Sequence, residues 1–213
     1  DFDFAELDIK GRGVKGNIVT KYPVRKILQK EVGKSTLGAQ KYWMDEVSGR
    51  LNTEERGKLI GAFDTGDLIL SIHTDGSYQL TEPSDTARYE VKELMWIGKY
   101  NPDMVISAVY FEPERGWTMV KRFQIETSTN DQKFMFIPEE KGAELYYATP
   151  KEGEVLQYVF KSKNKKIDSE IDLDNFIDVK GWKSLGNRLI DRKLLFVQRI
   201  DDDDNDEGED EDP

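Results

Sequence analysis

The most chemically pointed pattern in this chain is lysine and arginine interleaved with glycine. In Lys10-Gly-Arg-Gly-Val-Lys-Gly16, glycines at 11, 13 and 16 leave backbone N–H groups accessible beside Lys10, Arg12 and Lys15. Exposed amides next to cationic heads suit phosphate oxygens. From Asp8 to Lys34 the tract also holds Lys21, Arg25, Lys26, Lys30 and Lys34 against only Asp8 and Glu31, a local net of +6. A second tract, Lys180 to Arg199, has Lys180, Lys183, Arg188, Arg192, Lys193 and Arg199 against Asp191, a net of +5. Lys161, Lys163, Lys165 and Lys166 form a third cluster. Solvated turns and edges are the ordinary alternative, since lysine protects strand edges from pairing. That protection does not require the glycine spacing of the first tract.

The two main tracts are related. Asp8-Ile-Lys-Gly-Arg-Gly-Val-Lys-Gly-Asn17 and Asp178-Val-Lys-Gly-Trp-Lys-Ser-Leu-Gly-Asn187 both read Asp-(Ile/Val)-Lys-Gly, four variable residues, then Gly-Asn. The offset is 170 residues, which accommodates four units of about 42 residues, within the range of propeller repeats.

Other chemistry has little to work with. Cysteine is absent and His73 is the single histidine, so thiolate sites, cysteine nucleophiles and Ser-His-Asp triads lack their parts. Gly33-Lys-Ser-Thr36 ends like a phosphate-binding P-loop, but Leu28 stands where the loop needs glycine. Asp172, Asp174 and Asp178 lack the Gly and closing Glu of a calcium loop and read as a polar turn. Glu112 with Glu114, and Glu139 with Glu140, are carboxylate pairs in loops that nothing marks as an acid and a base.

The elements that must carry the cations read as strands. Leu68 to Thr74, Asp75-Gly76, then Ser77 to Thr81 is expected to be a hairpin with a two-residue turn. Leu68, Leu70 and Ile72 face one way, Ser71 and His73 the other, with His73 a structural or surface residue. Three further hairpins are expected: Lys41 to Met44 with Leu51, Val105 to Phe111 with Trp117 to Val120, and Leu145 to Ala148 with Val155 to Phe160. Lys58 to Phe63, Glu93 to Ile97, Phe134 to Ile137 and Phe176 to Val179 supply extra strands, and Ser84 to Glu93 is a candidate short helix. Multi-stranded units of about 40 residues compose propeller-like architectures.

Charge must be read locally. The 213 residues carry 31 basic and 42 acidic side chains, a net of −11, but ten of the carboxylates fall between Asp201 and Asp212. The remainder has a net of −1. Residues 1–200 are expected to form a folded domain, and 201–213 a disordered acidic tail. This tail is either a solubilising end or a competitor for the basic patches. No apolar run approaches the ~18 residues that span a bilayer, so no membrane partner is expected. The chain starts at Asp1 without a methionine and reads as a fragment of a longer subunit, with a reducing cytosol as the default compartment.

Lys10 to Gly16 resembles a degenerate form of the Gln-Arg-Arg-Gly-Gly-Lys-Gly box of the C-terminal domain of bacterial gyrase A subunits, matching at Arg12, Gly13, Lys15 and Gly16. Gly16 to Ile27, Ser35 to Gly38, Arg50 to Asn52, Arg56 to Phe63, Val120 to Ile125 and Phe176 to Gly181 resemble, in that order, topoisomerase IV A subunits of Bacteroidetes-type bacteria. The resemblance implies an all-β fold, a β-pinwheel of about four to five strand-swapped blades that binds, bends or wraps duplex DNA with low sequence specificity. The parent would be an ATP-dependent type IIA DNA topoisomerase of the bacterial nucleoid. Its catalytic residues, ATP and Mg would belong to other domains and to the ATPase B subunit, leaving this fragment without catalytic residues or cofactor. The box lacks the leading Gln and has Gly11 and Val14 at two family positions, which favours a topoisomerase IV-like role in relaxation and decatenation. The expected phosphate contacts are Lys10, Arg12, Lys15, Lys21, Arg25 and Lys26, with Lys180, Lys183, Arg188, Arg192 and Lys193 in the second tract. Trp182, inside the second box, is expected to pack.

Two other classes compete. A protein-interaction propeller would use Trp43, Trp96, Trp117 and Trp182 as an exposed groove. A propeller-fold hydrolase needs a nucleophile and base, and no such pair stands out.

Overall fold

The computed structural model describes residues 10–16, 18, 20–23, 38–127 and 129–200. The chain divides into two units, Asp1–Lys34 and Ser35–Pro213. Arg25, Lys26 and the acidic segment 201–213 lie outside the described residues.

The described part of the second unit is all-β apart from a four-residue helix, α1 (Leu173–Phe176), and a 3₁₀ turn at Val91–Glu93. It contains four antiparallel sheets, none closed into a barrel. The first runs β2 (Leu51–Asn52), β1 (Gln40–Met44), β3 (Lys58–Phe63). In the second, β6 (Leu94–Lys99), β4 (Ile69–His73), β5 (Ser77–Thr81) and β9 (Lys133–Met135) lie side by side. The third is β10 (Glu144–Thr149), β7 (Val105–Glu112), β8 (Trp117–Gln124), β13 (Asn187–Ile190). The fourth is β12 (Lys165–Asp172), β11 (Val155–Ser162), β14 (Leu194–Arg199).

The connectivity is interleaved. After the β7–β8 hairpin of the third sheet the chain returns to lay β9 on β5 of the second, then comes back to lay β10 on β7. After the β11–β12 hairpin of the fourth it lays β13 on β8 of the third, then β14 on β11. After β4–β5 the same step is made by Ala87–Tyr89, which bonds back to the first sheet through Leu51 N–H to Ala87 O (3.0 Å), Tyr89 N–H to Gly49 O (2.9 Å) and the Arg50–Arg88 bridge. Each of these sheets is thus completed by chain that follows the next hairpin.

Three expected hairpins are present: β1–β2, β4–β5 and β7–β8. The fourth is not, because β10 pairs with β7 and β11 with β12 and β14. The turn at Gly153 has φ 71°, as expected of a reversal, but there the chain crosses between sheets. The Ser84 to Glu93 segment supplies the returning bridge and only one 3₁₀ turn instead of a helix. Phe176 closes α1 and the residues to Val179 are not strand: Asp172 caps α1 with one carboxylate oxygen that accepts Asp174 N–H (2.9 Å) and Asn175 N–H (3.1 Å). The β4–β5 loop is also longer than expected. Thr74, Asp75 and Gly76 intervene, and only Gly76 takes positive φ, 85°, the three-residue form that ends on a left-handed glycine. A Cβ there would lie 2.2 Å from the Ile137 side chain.

Consecutive sheets pack face to face through three apolar clusters. Met44, Leu51, Ile60 and Phe63 of the first meet Ile69 and Ile97 of the second. Leu70, Ile72, Tyr78 and Leu80 of the second meet Ile106, Ala108, Tyr110, Met119 and Phe123 of the third. Val109 and Val120 of the third meet Leu156, Ile171 and Leu194 of the fourth. Burying each such side chain contributes roughly 1.5–3 kcal/mol. The second sheet is therefore covered on both faces, which is why the polar positions of β4, Ser71 and His73, are buried too. They satisfy each other in part, Ser71 Oγ lying 3.1 Å from His73 Nε2.

That burial has a pH consequence. Desolvation, reinforced by Lys133, holds the His73 imidazolium below its usual range. The unfolded chain takes up a proton near its ordinary value of about 6.5 while the fold resists it, so this contribution is complete above that pH and is lost as pH falls below it. Urea denaturation of the chain should give lower stability at pH 5 than at pH 7, and His73→Gln should reduce the difference. An unchanged difference in the variant would assign it elsewhere.

Candidate nucleic-acid interface

The second box is built onto strand β8. Successive side chains of a strand leave opposite faces, and β8 uses two neighbours, Lys121 and Arg122, to hold the segment from α1 to β13. Arg122 pairs with Asp174 (2.9 Å), and its guanidinium donates to the carbonyls of Asp174 (2.9 Å) and Ile177 (3.4 Å). Its own carbonyl accepts Lys180 N–H (2.9 Å). Lys121 donates to Trp182 O (2.6 Å) inside the box and to Phe136 O (2.7 Å) just after β9. It is 2% exposed and lies over the Phe123 ring, 5.0 Å from its centroid. Among the described residues no carboxylate pairs with it, and desolvation lowers its pKa to about 8.

The spacing of the repeat now has a physical reading. Ser184 N–H donates to Gly181 O (2.9 Å), closing a turn, and Lys180 Nζ donates to Asn187 Oδ1 (3.0 Å), joining the two ends of the box. Gly186 has φ 83°, and a Cβ on it would sit 2.1 Å from Val120 O, so the chain can approach β8 and begin β13 only with glycine there. In the first unit the same turn recurs: Val14 N–H donates to Gly11 O (3.0 Å), each position 170 residues before its counterpart. Lys10, Arg12, Lys15 and Lys21 are exposed.

In the second box Trp182 packs, as expected. It meets Tyr78 and Phe134 edge-on, with ring centroids 6.3 and 6.2 Å away. The other tryptophans, Trp43, Trp96 and Trp117, are half-buried, so the four do not form an exposed groove. The cations of this tract lie against rings or partners. Lys183 Nζ lies 5.3 Å from the Trp182 ring, and Arg188 and Arg115 lie 4.7 and 6.0 Å from the Trp117 ring. Lys193 sits 4.7 Å from the Phe111 ring and 3.4 Å from Glu144. Arg192 pairs with Asp191 (2.9 Å), donates to Lys161 O (3.1 Å) and lies 5.7 Å from the Phe160 ring. Lys180, Lys183, Arg188 and Lys193 are exposed and Arg192 half-buried. Contacts of this kind hold the cationic heads over rigid rings with their outer sides in solvent.

The β11–β12 hairpin carries Lys161, Lys163, Lys165 and Lys166, all exposed, around a turn in which Lys163 and Asn164 both take positive φ (47° and 65°). Sequence reasoning missed Lys121 and Arg122 as organisers of the box, and Arg115 beside Trp117. Glu112, Glu114 and Glu140 bring carboxylate oxygens within 4.8 Å of one another. The oxygens of Glu112 already accept the N–H groups of Glu114 (2.8 Å) and Arg115 (3.1 Å), so they brace the β7–β8 turn. Asp172 and Asp174 likewise serve the α1 cap and Arg122.

Two substitutions test this construction. Gly186→Ala should cost about 2 kcal/mol or more by chemical denaturation, from positive φ and the clash with Val120 O. Arg122→Ala should cost about 2–3 kcal/mol, since it leaves Asp174 and two carbonyls without their donor. A loss below the error of the measurement in both would show that β8 does not hold this segment.

No curated protein matches the chain. A family model for the topoisomerase C-terminal domain of Bacteroidota matches residues 50–201. With most of the chain covered, including all four sheets' hairpin strands from β2 onward and the second box, the protein belongs to the Bacteroidota topoisomerase C-terminal domain family.

Proposed function

We propose that this chain is the non-catalytic DNA-binding and DNA-bending domain of a type IIA topoisomerase A subunit, closer to topoisomerase IV than to gyrase. The observation that carries the reading is the box turn found twice in a topoisomerase C-terminal domain, Gly11–Val14 and Gly181–Ser184, each set among exposed cations. The interleaved sheets support reading the fold as a β-pinwheel, with each sheet a blade that lends a strand backwards. Phosphates meet Lys10, Arg12, Lys15, Lys21, Arg25 and Lys26 in the first tract and Lys180, Lys183, Arg188, Arg192 and Lys193 in the second.

Such a surface binds through counterion release and tolerates sequence. Among the described residues no helix is long enough to read a major groove. Bending a 20–30 base-pair site costs on the order of 1–6 kcal/mol, which calls for several separated cationic patches. Strand cleavage, ATP and Mg belong to the other domains and the B subunit, and the complex works on the bacterial nucleoid. The acidic segment Asp201–Asp212 competes with DNA for the basic patches.

A fluorescence-anisotropy titration with a labelled duplex should show binding that weakens steeply with salt and little with sequence. Arg12→Ala with Lys15→Ala should weaken it and flatten the log–log salt slope by about 1.8, two phosphate contacts at ~0.9 each. Removal of 201–213 should tighten binding at low salt; unchanged affinity would end the competitor role. Failure to bind duplex even without that segment would end the DNA reading itself.

A further inference from the structure

We propose that Lys121 positions the second box for phosphate contact, its ammonium bridging Phe136 O and Trp182 O so that one buried cation holds Lys180, Lys183 and Arg188 in place from beneath. The proposal rests on the DNA-binding reading and assigns Lys121 no contact with DNA.

Placing an ammonium in the interior costs several kcal/mol even after relaxation, and a methionine would fill the same space beside Phe123 without that cost. The two hydrogen bonds that Lys121 makes both go to backbone carbonyls, one in the second sheet's β9 loop and one in the box. Holding those carbonyls is therefore what the charge does.

Packing supports the box at Trp182, against Tyr78 and Phe134, and leaves a gap beside it. Under the box lies a cavity of about 300 Å³ lined by Tyr110, Lys121, Phe136, Ile137, Trp182 and Ser184, among others. Ser184 Oγ is buried there and finds no hydrogen-bond partner among the described residues. Over this gap the box hangs from Lys180 N–H on Arg122 O, Lys121 on Trp182 O, and Tyr110 Oη, which donates to Leu185 O (2.6 Å). Of these three, only the Lys121 contact carries a full charge.

The charge also gives the device a signature. The titratable groups around the cavity are Tyr110 from β7 and Lys183 from the box, with Glu126 at the Gly181 end. Burial, with Glu112 nearby, raises the Tyr110 hydroxyl well above its ordinary value, so it stays a donor. Lys121, lowered by burial to about 8, passes from ammonium to amine near that pH. Below it both carbonyl bonds are charge-assisted; above it they fall to the strength of neutral bonds.

The experiment is duplex affinity by fluorescence anisotropy at constant ionic strength, at pH 7 and pH 9, on either side of the value of about 8. The natural chain should lose roughly three- to tenfold affinity at the higher pH, the size expected when charge-assisted bonds weaken. Lys121→Met should bind more weakly at pH 7 and show no step. A variant with Lys180, Lys183 and Arg188 all changed to alanine should also lose the step, because the groups that Lys121 presents are gone; this decides the matter if Lys121→Met does not fold. Duplex binding at pH 7 with no step, or a step that survives in the triple variant, overturns the positioning role and leaves the DNA reading intact. Absence of binding at both pH values, also without residues 201–213, strikes the DNA reading.

Discussion

The seating of the second box rests on a buried cation that has no carboxylate partner among the described residues. Lys121 sits where the second sheet, the third sheet and the second box converge, and its two carbonyl contacts belong to the first and last of these. A neutral core could stack the sheets as well, since the three apolar clusters already do so. What apolar packing does not supply is direction: it buries a segment without fixing which backbone group faces which. The two carbonyls would be costly if left unpaired at this depth, by about 1–3 kcal/mol each. The ammonium and the carbonyls thus justify one another. Arg122, one residue on and facing the other way, repeats the logic on the α1 side with a carboxylate included.

The interleaving explains why such fastenings are needed. A strand that returns to an earlier sheet is bound on one side to the hairpin it joins and on the other only to solvent or loops. β9 has three residues and β13 four, too few for ladder hydrogen bonds alone to place them firmly. Each is therefore anchored near one end. For β9 the anchor is the Phe136 carbonyl on Lys121, and for β13 it is Gly186 pressed against Val120 O with Lys180 and Asn187 joined across the box.

Much of this was legible in the sequence where the signal is local. Turn residues and alternation located most of the strands and three hairpins, because a tight reversal is written in a few adjacent residues. The same signal failed at Gly153, since a turn says only that the chain reverses and not which strand it meets afterwards. Whether β11 pairs with β10 or with β12 is decided by apolar faces far apart in sequence, Leu156 and Ile171 against Val109 and Val120. His73 was placed on the polar side of β4 correctly, yet a single strand cannot reveal that the first sheet covers that side. Lys121 and Arg122 were invisible for the opposite reason. A Lys-Arg pair in a strand reads as a solvent edge, and only the fold shows it serving buried carbonyls.

The repeat was legible as a pattern, and its two copies depart from one another in what they present to solvent. At an offset of 170, Arg12 corresponds to Trp182 and Lys15 to Leu185. In the second copy Trp182 turns inward and packs on Tyr78 and Phe134, while the Leu185 side chain stays exposed at the mouth of the cavity and its backbone carbonyl accepts the Tyr110 hydroxyl. What is kept is the scaffold, namely the Gly-to-fourth-residue turn, the closing glycine and the lysine at the start. Two cations have been exchanged for apolar side chains, of which Trp182 ties the segment to the second sheet, and the cations held over rings are Lys183 within the box and Arg188 and Lys193 beyond it. A net charge of −11 conceals this entirely, because screening over a Debye length of about 8 Å makes local sign, not the sum, the quantity a phosphate meets.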